Sequence, residues 1–195
     1  MPRLFAAIPV PPGVAASLSD ALPGGLPALR RVAPELLHVT LAFVGQVGED
    51  RVSGVRAALA ESVRGVPAFR VAFTGLALFP EHGPPRIVWA ATDAGREIER
   101  TGAAVRRALD EHRIPFDRKP LRPHVTLARV RDGARATDAA AIAEAVAAAR
   151  VPEGLAFAAD ALHLMESVLS RSGPRYSSIA RVALVDDGTD GAPGG

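Results

Sequence analysis

The chain has 195 residues, 48% of them apolar and 23% charged, so it can bury a sizeable core and is not a disordered chain. It has no cysteine, which excludes disulfides, thiolate nucleophiles and thiolate metal sites. The net charge is only +2, but a single lysine (Lys119) stands among 23 basic residues. The rest are arginines, which bind phosphate bidentately and hint at an anionic substrate.

The opening MPRLFAAIPVPPG begins like a secretory signal. Its apolar run stops at Pro9, and Pro11-Pro12-Gly13 breaks what should be continuous. No later segment offers ~18 uninterrupted apolar residues, so a cytoplasmic chain that does not enter a membrane is expected. A strand is expected over 3–10, a weakly marked helix over 12–21 and a connecting loop over 23–31. A strand over 36–45 follows. The helix expected over 49–64 carries Val52, Val55, Leu59 and Val63 on one stripe. Two strands, 68–79 and 86–92, flank a turn at 81–85. The helix over 94–112 turns Ile98, Val105 and Leu109 inward. A strand over 123–130 precedes an alanine-rich helix over 137–149, with Thr137 as N-cap and Ile142 and Val146 inward. Strands over 155–165 and 176–185 close the fold, and the Gly- and Asp-rich residues 186–195 are expected to be a disordered tail.

The order is β-α-β-α-β, then β-α-β-α-β-β. The second strand of each half carries the same five letters, HVTLA, at 38–42 and 124–128. That is the mark of an internal duplication. It predicts an α+β fold of two pseudo-symmetric lobes, antiparallel-rich sheets with helices on the outer faces and a central cleft, forming one domain over 1–185.

Alternation in a strand places His38 and Thr40 on one face, with Val39, Leu41 and Phe43 on the other. The same holds for His124 and Thr126 against Val125 and Leu127. The apolar faces need the helices, so both His-Thr pairs must border a groove. A pseudo-two-fold axis between the motif strands would bring two imidazoles and two hydroxyls to one site. One imidazole can then act as base while the other acts as acid, on opposite sides of a phosphorus undergoing in-line displacement. Threonine hydroxyls can donate to the non-bridging oxygens, which gain charge in the transition state. No metal site is suggested: there is no HExxH, and no carboxylate lies within two residues of either histidine.

With these residues in view, the sequence resembles the two-histidine (2H) phosphoesterases, whose signature is a pair of His-x-Thr-x tetrapeptides. Within them it most resembles the RNA 2′,3′-cyclic phosphodiesterases, also called 2′-5′ RNA ligases. The stretches RLFAAIPVP, LHVTLAFVG, GLALFP with PRIVWAA, RPHVTLARV and LMESVLSRSGPRYSSI carry that resemblance from residue 3 to about 185. It implies metal-free and cofactor-free hydrolysis of RNA 2′,3′-cyclic phosphate ends to a 2′-phosphate, with 2′-5′ ligation when a 5′-hydroxyl attacks in place of water. It also implies that His38 is the proton donor to the leaving 3′ oxygen, His124 the base that activates water, and Thr40, Thr126 and Arg129 contacts to the phosphate. The implied partner is RNA with a cyclic end, single-stranded or a tRNA fragment.

Ideal alternation turns Arg129 away from His124, and only a bulge or the strand's end would bring it back. Arg122, two residues before His124, has the right parity and is the second arginine candidate. Phe5 and Tyr176 are candidates to stack a base. His82, His112 and His163 read as a turn residue, a helix-end residue and an outward strand residue, and Arg96, Arg100, Arg106 and Arg107 as a solvated helix face. A monomer is expected, because the duplication supplies both halves of the site. Two alternatives stay open on the residues: a relative acting on another cyclic or 2′-5′-linked nucleotide, and a non-catalytic RNA or nucleotide binder.

Overall fold

The computed structural model describes residues 1–93, 96–170 and 173–185; the tail expected over 186–195 lies outside the described residues. In chain order the elements are β1 (Arg3–Pro9), α1 (Pro12–Ala21), β2 (Leu29–Arg31), β3 (His38–Gln46), α2 (Val52–Ser62), β4 (Phe69–Phe79) and β5 (Ile87–Asp93). Then come α3 (Glu97–Glu111), β6 (His124–Val130), α4 (Ala136–Ala148), β7 (Ala156–Ala159), β8 (Ala161–Ser170) and β9 (Gly173–Ala183). The α+β class holds.

All the strand pairings are antiparallel, in the order β7-β4-β5-β6-β3-β1-β8-β9, with β2 added to β6. Outside these strands, Ala68 N–H donates to Val185 O in a parallel bridge that links the chain after β9 to the chain before β4, so the sheet curls back on itself. The two motif strands are neighbours in the middle. They share one ladder pair, Val39 with Val125, and splay on either side of it. Both valines are fully buried.

What separates them is a reciprocal exchange. Residues just before the first motif pair with the second motif strand: β2 joins β6, and Val32 N–H donates to Leu127 O at 2.8 Å. A residue just before the second motif serves the first motif strand, as Asp117 N–H donates to Phe43 O at 2.8 Å. Each motif edge thus finds its backbone partners in the approach to the other motif, and the centre of the sheet opens into a cleft.

The convex side carries the core. Leu41 and Leu127 are 0% and 2% exposed, each contributing about 2 kcal/mol by burial. Helices α2 and α3 pack together, α3 against β3 and α2 against β8 and β9, while α4 covers β4. Gly102 sits where α3 meets Leu121; a side chain there would collide with Leu121, so the glycine lets the chain before β6 lie close on the helix.

Three expectations need correction. The loop expected over 23–31 ends in a strand, β2, because β6 has a free edge there once β3 diverges. The strand expected over 155–165 is two, broken at Asp160, since β7 pairs with β4 and β8 with β1 and β9. Helix α4 is capped by Arg135, whose N–H donates to Asp138 Oδ2 at 2.8 Å, so Thr137 lies inside the first turn.

Candidate active site

The two histidines are held by the same device. His38 Nδ1 lies 2.7 Å from Leu36 O, and His124 Nδ1 lies 2.6 Å from Arg122 O, in each case a carbonyl two residues earlier. A carbonyl can only accept, so each Nδ1 carries the hydrogen. That leaves each Nε2 to receive or deliver a proton on the cleft side. The ladder register, carried one residue either way from Val39–Val125, sets His38 opposite Thr126 and Thr40 opposite His124. The four motif side chains therefore flank that one pair on the same face of the sheet, all part-exposed.

The two rings have unlike surroundings. His38 lies among aromatics, 5.0 Å from the Phe5 ring and 5.3 Å from Tyr176, the latter edge-on. Desolvation there pulls its imidazole below its ordinary value; the hydrogen bond to Leu36 opposes this, and the His124 charge adds to the lowering. His124 faces one aromatic, Trp89, edge-on at 5.2 Å. Tyr176→Ala uncovers His38, so its titration moves up in pH toward the ordinary value; an NMR titration of the ring that shows no upward shift would refute the burial account.

Arg129 needs the bulge. Across β5 and β6, Val88 pairs with Ala128 and Trp89 with Thr126, leaving Leu127 as an extra residue. Leu127 and Ala128 both enter the core, and alternation restarts with Arg129 exposed on the cleft face beside Ile87. The first motif does the same. Ala6 pairs with Ala42 and Ala7 with Thr40, so Leu41 is the extra residue. Phe43 consequently stands on the cleft face, 51% exposed, and does not share the core face with Val39 and Leu41 as alternation predicts. Phe43 and Arg129 are equivalent positions of the two halves, and the site is asymmetric there.

Arg122 serves His124 through its carbonyl, while its exposed guanidinium lies 3.8 Å from Glu81. Phe5 is 3% exposed, so it supports the His38 ring and offers no free face to a base, a correction to its candidacy. Tyr176 is half-exposed, edge-on to both Phe5 and His38. Arg106 leaves the expected solvated face, donating to Lys119 O at 2.7 Å and bracing the chain before β6. His163 pairs with Ala7 across β1 and β8, which puts it on the cleft side, where its Nδ1 meets Ser178 Oγ at 2.8 Å.

A cleft of about 330 Å³ opens beside His124, lined among others by Thr40, Phe43, Phe79, Ile87 and Trp89. It is large and apolar enough for a nucleobase. Sequence reasoning missed Phe43, Trp89 and Arg30. Arg30 is exposed on β2 and pairs directly with Arg129 on β6. No signal in the motif itself marks the bulges, which arise from how β1 and β5 pair with the two motif strands.

The family model for the 2′-5′ RNA ligase superfamily matches residues 13–170. A curated relative from Thermus thermophilus, named RNA 2′,3′-cyclic phosphodiesterase, is 32% identical over 192 residues, covering 93% of this chain and 90% of the relative. One of the same name from Aeropyrum pernix is 30% identical over 177 residues, covering 90% and 98%. A crystal structure of a Thermus thermophilus protein superposes with a TM-score of 0.78 at 28% identity, over 95% of this chain and 99% of that one. Two strands with matched bulges and matched histidine supports, on a fold and sequence this similar, place the chain in the 2′-5′ RNA ligase superfamily.

Proposed function

We propose that the protein hydrolyses RNA 2′,3′-cyclic phosphate ends to 2′-phosphates, and that the same displacement gives a 2′-5′ linkage when a 5′-hydroxyl replaces water as the nucleophile. The observation that carries it is the pair of imidazoles on adjoining strands, each held through Nδ1 by a carbonyl two residues earlier so that its Nε2 is left for proton transfer. His124 takes the proton of the attacking water as its oxygen bonds to phosphorus. The bond from phosphorus to O3′ breaks, and His38 gives its proton to the departing O3′. The pair ends with its protons exchanged and solvent resets it. Thr40, Thr126 and Arg129 hold the non-bridging oxygens, whose charge grows in the transition state. Relatives named for this activity cover nine-tenths of the chain, which supports the substrate class. The working unit is residues 1–185, read as one two-lobed monomer. Among the described residues no helix is long and apolar enough to cross a membrane.

In the free enzyme, burial disfavours the charged form of His38 and lowers its pKa. An anionic phosphate beside it raises that value, so substrate binding itself readies the acid. The test is to incubate the protein, with EDTA, with an oligoribonucleotide ending in 2′,3′-cyclic phosphate. A 2′-phosphate product is expected. A 3′-phosphate product, or turnover that appears only on adding metal, would overturn the mechanism.

A further inference from the structure

We propose that Arg30 and Arg129 form a two-phosphate subsite, in which Arg30 takes the RNA linkage next to the cyclic end and so makes oligonucleotides better substrates than cyclic mononucleotides. The inference rests on the roles given above to His38 and His124.

Arg30 and Arg129 are directly opposed on β2 and β6, and both are exposed. Like charges at opposed positions destabilise a sheet. No acidic side chain among the described residues forms an ion pair with either. Neighbouring arginines on β2 and at the end of β6 are differently employed: Arg31 turns to the convex side and donates to the Leu22 and Pro23 carbonyls, and Arg131 donates to Pro27 O. An anion between Arg30 and Arg129 would relieve the repulsion.

The position fits a second phosphate. Along β6 the order is His124, Thr126, then Arg129, and His38 lies opposite Thr126. The bulge leaves two strand steps between Thr126 and Arg129, about 7 Å, well within reach of an extended guanidinium. His38 protonates O3′, so the ribose bearing the cyclic phosphate lies at the His38 end, and the remainder of the RNA leaves the site over β2. Arg129 then reaches back to the reacting phosphate while Arg30, one strand further out, meets the next one. A cyclic mononucleotide has no such phosphate. By contrast the cleft beside His124 presents apolar faces, and its rim cations Arg122 and Lys119 already face Glu81 and Asp117.

The experiment compares kcat/KM for three substrates: a 2′,3′-cyclic mononucleotide, a dinucleotide with the same cyclic end, and that dinucleotide with a neutral methylphosphonate linkage. The wild-type protein is expected to prefer the charged dinucleotide. Arg30→Gln lowers that preference about 10- to 100-fold, the worth of a hydrogen bond between charged groups, chiefly through KM. The methylphosphonate does the same to wild type and adds nothing to Arg30→Gln. Arg30→Lys retains part of the preference, which shows that the exposed position tolerates change. Equal losses on mononucleotide and dinucleotide, or additive effects of the variant and the neutral linkage, would overturn the subsite. Wild-type turnover without any preference sinks this inference alone, whereas no turnover of any substrate sinks the phosphodiesterase reading and this inference with it.

Discussion

His124→Ala is expected to lower kcat by about 10²–10⁴-fold, and His38→Ala by a similar factor, with RNA binding kept in both. The two losses differ in kind. One removes the base that activates water, and the other removes the acid that protonates O3′. A substrate whose bridging 3′ oxygen is replaced by sulfur separates them, because a thiolate departs without protonation far more readily than an alkoxide. On that substrate the His38→Ala defect is expected to shrink by about tenfold or more while the His124→Ala defect persists. Rescue of His124→Ala instead would exchange the two roles. Full activity in either variant would remove that histidine from the chemistry. The assignment is worth this test because the electrostatics of the free enzyme alone point the other way: aromatic burial lowers His38, which favours the neutral, basic form of the intended acid. The mechanism needs the substrate's charge to reverse that bias. It predicts that the fall in rate at high pH lies higher in kcat, measured with substrate bound, than it would if His38 kept its free-enzyme value.

Alternation alone was enough to put His38 with Thr40 and His124 with Thr126 on a common face, because parity within three residues is fixed by strand geometry. The duplication located the axis on which they meet, and Val39 with Val125 is where the two strands touch. What lay beyond the bulges was not legible. A bulge is a property of two strands, and nothing in HVTLA alone says that Ala6 and Val88 each face two residues. Every parity argument past Leu41 or Leu127 therefore inverted, which misplaced Phe43 and left Arg129 without a face. Strand β2 failed for a related reason. Leu29–Arg31 follows a Gly- and Pro-rich stretch and becomes a strand because β6 offers it an edge. The same applies to Phe5: its alternation with Ala7 on the cleft side is readable, but not that His38 and Tyr176 pack against it and seal it.

Arg129 tests whether the second bulge matters to the reaction. Arg129→Ala is expected to lower kcat/KM about 10²–10³-fold, the usual effect of deleting one donor to a charge that develops in the transition state. Arg129→Lys should recover only part, since an ammonium cannot reproduce the planar, two-point grip of a guanidinium on phosphate. A sharper variant leaves the arginine in place. Deleting Leu127 closes the extra position: Ala128 takes the single core-facing place, and Arg129, now two positions after Thr126, stays on the cleft face by ordinary alternation. If the variant folds, as judged by its far-ultraviolet circular dichroism and a cooperative melt, it should keep more activity than Arg129→Ala; a loss as large as that of Arg129→Ala would show that the reaction needs the bulged backbone as well as the arginine. An Arg129→Ala enzyme with unchanged kcat/KM would show that the arginine, though delivered to the cleft face by the bulge, is idle there. The bulge would then exist for the packing of Leu127 and Ala128 alone, both of which it places in the core. The matched bulge at Leu41 weighs against that simpler account. It delivers a phenylalanine to the equivalent position, so the two halves keep one backbone device and differ in what they present to the cleft, a cation at the His38 end and an aromatic ring beside His124.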